Sequence, residues 1–116
     1  MLIEFFMNAA ELAINRKWLK RGVLNSAYRD LKNNMAEDIR RENREHYGDE
    51  EVQVTLEIRG TQADIDAPIK ATLDILQKAR VFSNDKQVRR LVVEITDRNA
   101  DPWYGVEVVP YAAEEE

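Results

Sequence analysis

Val52, Val54, Leu56 and Ile58 alternate without a break with Gln53, Thr55, Glu57 and Arg59. Extended backbone sends successive side chains to opposite faces, so this run specifies a strand with one apolar and one polar face. A half-buried strand cannot stand alone. It needs neighbours in a sheet and a second layer over its apolar side.

The rest of the chain supplies both. Residues 2–7 are a short apolar run that reads as a first strand. A helix is predicted from Asn25 or Ser26, with Tyr28, Leu31, Met35 and Ile39 on one face and Gly48 as its stop. A second helix is predicted over residues 67–79, with Ile69, Leu73 and Leu76 inward and Lys70, Asp74 and Lys78 outward. Leu91, Val93 and Ile95 alternate in a third strand, and residues 103–109 form a fourth. The order strand-helix-strand-helix-strand-strand predicts a small α+β domain, two helices packed on one face of a mixed four-stranded sheet. At 116 residues the chain can bury one core. That domain is placed at residues 1–109, and residues 110–116, ending in Glu114-Glu115-Glu116, are expected to be a flexible acidic tail.

Composition narrows the chemistry. Cysteine is absent, which removes disulfides, thiolate zinc sites and cysteine nucleophiles together. His46 is the only histidine, and its place at a helix end suits an exposed or dipole-facing role. No apolar run is long enough to cross a bilayer and no signal-peptide pattern is visible, so the chain is expected to be cytoplasmic and off the membrane. A carboxylate-and-lysine site is the main catalytic option left.

Net charge is −5, which runs against nucleic-acid binding, where phosphate neutralisation dominates affinity. The charge is uneven. Residues 1–48 carry nine Lys and Arg against seven Asp and Glu, whereas residues 49–116 carry eight against fifteen. The basic loop Arg16, Lys17, Lys20 and Arg21, with Arg40, Arg41 and Arg44 on the first helix, offers the candidate phosphate contacts. Read plainly, the three helix arginines are a solvated face interleaved with Glu42 and Glu45. Trp18 within the loop either stacks on a base or covers the core edge.

The densest chemistry lies in Asp64-Ile-Asp66-Ala-Pro-Ile-Lys70, followed by Asp74 and by Asp85. Asp64 and Asp66 are two apart and share a face of extended backbone. Pro68 suits the first turn of a helix, Asp66 its cap, and Lys70 follows one turn later. Paired carboxylates with a lysine beyond them and further carboxylates on later turns suit a hard cation and phosphate chemistry. Each residue also has a plain role. Asp66 can be a cap, Lys70 and Asp74 a helical ion pair, Asp85 a turn residue and Asp64 a solvated acid.

This stretch resembles the RusA-type Holliday-junction resolvases. The family pattern is Asp-x-Asp-Asn, a Lys four residues after the second Asp, an Asp four further on, then a turn with an acidic pair ahead of Gln-Val. Asp64, Asp66, Lys70, Asp74, Asp85, Gln87 and Val88 match at family spacing, and Ala27-Tyr28-Arg29-Asp30 is a weaker echo of the first helix. The resemblance implies an endonuclease that cuts four-way DNA junctions as a homodimer and uses Mg²⁺, or Mn²⁺ in its place. Asp64, Asp66 and Asp85 would hold the metal, Lys70 would stabilise transition-state charge, and Asp74 would orient Lys70. The chain departs from the pattern at Ala67 for Asn, at Asn84 for the first acid of the pair, and at Ala63 where relatives are basic. Those departures leave two alternatives: a non-catalytic member of the fold that binds nucleic acid or protein, and a plain interaction domain.

Overall fold

The alternation over residues 52–59 is the centre of the molecule. In the computed structural model, which describes residues 1–12, 26–42 and 46–112, Val52–Arg59 is strand β2, and its apolar members are fully buried. Burying each such aliphatic side chain contributes about 1.5–3 kcal/mol. Ahead of it come β1 (Leu2–Phe5), a 3₁₀ turn (Ala9–Leu12) and helix α1 (Ser26–Glu42); after it come α2 (Ile69–Lys78), a 3₁₀ turn (Asp85–Gln87), β3 (Val88–Asp97) and β4 (Trp103–Pro110). The strands order as β1-β4-β2-β3. β2 pairs antiparallel with β4 and parallel with β3, the second pairing made by the crossover through α2. This is the predicted α+β domain with a mixed four-stranded sheet.

The two helices pack on each other and on the apolar face of the sheet. Tyr28, Met35, Ala36 and Ile39 of α1 join Ala71, Ile75 and Leu76 of α2 over Val52, Val54, Leu56, Ile58, Tyr104, Val106 and Val108. The inward face of α2 differs from the expected one. Ala71, Thr72, Ile75 and Leu76 are buried, while Ile69 and Leu73 are only half-buried. The third strand also differs. β3 is one of the two edge strands, and Leu91 keeps 39% of its surface exposed although it pairs with buried Val54.

The polar face of the sheet has its own cover. Trp103 lies across Gly105, the one residue type that leaves room for the indole there, and the Arg59 guanidinium stacks 4.5 Å from the ring centroid. Pro110 pairs with Val52, and Tyr111 N–H donates to Glu51 O at 2.9 Å. Residues 113–116 of the expected tail lie outside the described residues. No helix among the described residues is long and apolar enough to cross a membrane.

The end of α2 carries local strain. Arg80 N–H donates to Gln77 O and Val81 N–H to Leu76 O, the two bonds of a Schellman closure. That closure puts Arg80 in the left-handed region at φ 62°, where a Cβ is unfavourable. Arg80→Gly is expected to stabilise the fold by about 1 kcal/mol, read as a raised midpoint in thermal or urea unfolding.

Candidate active site

The lysine and two of the aspartates singled out in the sequence meet. Lys70 Nζ lies 3.6 Å from Asp74 Oδ1 and 3.7 Å from Asp85 Oδ2. The first contact is a single turn of α2, and the second joins α2 to the turn ahead of β3. Lys70 remains 62% exposed, so its ammonium is open to a ligand as well as to both carboxylates. Asp74 has a second partner on α1: Lys32 Nζ donates to its Oδ2 at 3.4 Å. The side chains run Lys32–Asp74–Lys70–Asp85, alternating in charge.

Long-range bonds hold Asp85 in place. Asn84 caps the 3₁₀ turn, accepting from Lys86 N–H at 2.9 Å. Gln87 Oε1 accepts from the N–H groups of Ser83 and Asn84, at 2.9 and 2.8 Å. Its Nε2 donates across to Gly48 O and Glu50 O, at 2.7 and 2.8 Å. One amide thus ties the Asp85 turn to the segment entering β2. At Asn84, where the family pattern has an acid, the side chain serves the turn. Gln87→Ala is expected to cost about 1–3 kcal/mol, seen in thermal unfolding, because several partners lose their bonds at once.

Asp64 and Asp66 lie in the turn between β2 and α2, both exposed. They are not on extended backbone. Ala67 N–H donates to Asp64 O at 3.1 Å and Ile69 N–H to Asp66 O at 3.2 Å, which winds this segment into turns. The cap expected from Asp66 is absent: Pro68 holds the N-cap position and no side chain caps α2. The start of the helix is anchored elsewhere. Thr72 Oγ1 donates to Pro68 O at 2.7 Å, leaving the Tyr104 hydroxyl to donate to Thr72 Oγ1. Burial pushes the Tyr104 phenol well above its ordinary range, so it stays a donor. Burial, with a further contribution from Asp74, also raises the Tyr28 hydroxyl, which donates to Leu12 O at 3.3 Å.

The stretch leading to Asp64 is braced by the turn between β3 and β4. Arg98 Nη1 donates to Ala63 O at 3.0 Å and Thr61 O at 3.3 Å, and Gln62 Nε2 donates to Arg98 O at 3.3 Å. Gly60 is required there. It has φ 70°, and a Cβ would meet Ala100 O at 2.5 Å and Pro102 Cα at 2.7 Å.

The donors of Asp64, Asp66 and Asp85 are carboxylate oxygens, the type a hard cation takes. Among the described residues, however, no three His, Cys, Asp or Glu side chains are grouped so as to hold a metal ion, and Asp85 faces Lys70. His46 is directed elsewhere, with Nδ1 2.9 Å from Arg80 O. Of the expected phosphate contacts, Arg40 donates to Lys78 O at 2.7 Å and Arg41 pairs with Asp38 at 3.5 Å. Arg16, Lys17, Lys20, Arg21 and Arg44, and Trp18 with them, lie outside the described residues.

Lys32, Arg98 and the bonding of Gln87 were not singled out from the sequence. Gln87 alone had a signal there, its match to the Gln-Val of the family pattern.

The small α+β domain thus gathers lysine and aspartate side chains where its two helices meet the turn before an edge strand. The chain belongs to the RusA endodeoxyribonuclease family, whose model, Endodeoxyribonuclease RusA, matches residues 12–109. None of the curated proteins matches the chain.

Proposed function

We propose that the protein is a Mg²⁺-dependent, structure-selective endonuclease that resolves four-way DNA junctions by paired phosphodiester cleavage, in recombination and repair. The observation that carries this reading is the meeting of Lys70, Asp74 and Asp85 in a chain of this family. Asp64, Asp66 and Asp85, which are not grouped around a common point among the described residues, would have to draw together to hold Mg²⁺, or Mn²⁺ in its place; the ion would supply an activated water and a Lewis acid at the scissile phosphate.

The chain's own residues do the rest. Lys70 presents an exposed ammonium to the scissile phosphate and offsets the charge that builds there. Asp74 limits where that ammonium can go, and the Gln87 clamp fixes Asp85 opposite it. Arg16, Lys17, Lys20 and Arg21, with Arg40, Arg41 and Arg44, are the proposed contacts to flanking phosphates. Arg41 can exchange its exposed intrahelical partner for phosphate, since such pairs contribute at most about 1 kcal/mol, whereas Arg40 would also have to release Lys78 O on α2.

Two matched nicks on a two-fold symmetric junction call for two sites, and a C2 homodimer supplies them. The edge of β3, unpaired among the described residues and with Leu91 and Val92 exposed, supports such an assembly. The test is incubation of the purified protein with a synthetic four-way junction and with linear duplex, each with Mg²⁺ or with chelator. Junction-specific, Mg²⁺-dependent nicking supports the reading. Junction binding without nicking in either Mg²⁺ or Mn²⁺ would leave the non-catalytic alternative in its place.

A further inference from the structure

Lys32 is the buried charge among the described residues. Its side chain keeps 10% of its surface, between Tyr28 and Met35 on the packing face of α1. Its ammonium lies 5.5 Å from the Tyr28 ring centroid and donates to Asp74 Oδ2 at 3.4 Å. Stripping water from an ammonium carries a large penalty, which one carboxylate and one ring recover only in part. An apolar side chain of similar length would fill the same space between the helices at lower cost. The charge therefore serves its partner more than the packing.

That partner is divided. Asp74 gives Oδ2 to Lys32 and Oδ1 to Lys70, and Lys70 reaches on to Asp85. With Oδ2 held by a residue on another helix, the carboxylate cannot rotate freely about its own axis. Its remaining oxygen is aimed at Lys70. We propose that Lys32 is a positioning residue of the nuclease centre: by fixing Asp74 it holds the Lys70 ammonium beside Asp85, where the scissile phosphate is to be met. This rests on the endonuclease reading above. It brings α1, which supplies none of the proposed metal ligands, into the catalytic arrangement.

The experiment measures single-turnover junction cleavage and junction affinity for wild type, Lys32→Met, Asp74→Asn and the double variant. Lys32→Gln serves in the same role should Lys32→Met fail to fold. Lys32→Met is expected to lower the cleavage rate about tenfold with affinity unchanged, since it removes an interaction realised at the reacting centre. The double variant is expected to be no slower than the slower single one, because both substitutions break the same chain of contacts. A folded Lys32→Met or Lys32→Gln that cuts at the wild-type rate overturns the positioning role and leaves the endonuclease reading standing. Rate losses that simply multiply in the double variant overturn it as well. A wild-type protein that cuts no junction removes both readings together.

Discussion

Asp66→Asn is expected to slow cleavage of a four-way junction at least about a thousandfold, equivalent to roughly 4 kcal/mol of lost transition-state stabilisation. The fold should be indifferent to the change. The Asp66 side chain is exposed and caps nothing, and what the fold uses of this residue is its carbonyl, which accepts from Ile69 N–H. Asparagine keeps that carbonyl and the side-chain shape, so the stability change should stay within about 0.5 kcal/mol. Single-turnover cleavage measured beside thermal unfolding separates the two effects. Undiminished cleavage by a folded Asp66→Asn protein would remove Asp66 from the site.

Lys70→Ala is expected to reduce turnover about 10²–10³-fold while sparing junction affinity, the pattern of a charge that acts on the transition state. The geometry supports the separation. The ammonium lies between two carboxylates, so its charge is already shared before substrate arrives, and the added negative charge of the transition state is what it is expected to answer. Loss of the two exposed ion pairs should cost the fold less than about 1 kcal/mol. Affinity and turnover falling in equal measure would make Lys70 a phosphate contact and nothing more.

What the sequence made visible, and what it hid, divides by range. The β2 alternation was legible because a strand's burial pattern repeats every two residues and depends only on there being a covered face. The alternation in β3 is legible too, but periodicity does not distinguish an edge strand from an inner one, and Leu91 keeps 39% of its surface in solvent. Asp before Ala-Pro is a strong capping signal, yet the start of α2 does not use it. Here the backbone winds into turns from Asp64 onward, and the helix start is pinned by Thr72 and Tyr104 instead. Lys70, Asp74 and Asp85 stand out through their match to the RusA-type pattern. Lys32 does not, because a lysine on a helix reads as solvated and its burial depends on a carboxylate 42 residues away. Arg98 was hidden for the same reason: its value lies in two carbonyls on a distant loop.

If these side chains form a catalytic centre for four-way DNA junctions, they leave a pattern of cuts that can be mapped strand by strand. A synthetic junction is labelled on each of its four strands in turn and incubated in Mg²⁺ with excess wild-type protein, with Asp66→Asn protein prepared in parallel. Nicks at matched positions on two opposing strands, made by the wild type and not by Asp66→Asn, are the predicted result. Equal cutting of junction and linear duplex, or equal cutting by the two proteins, would contradict it.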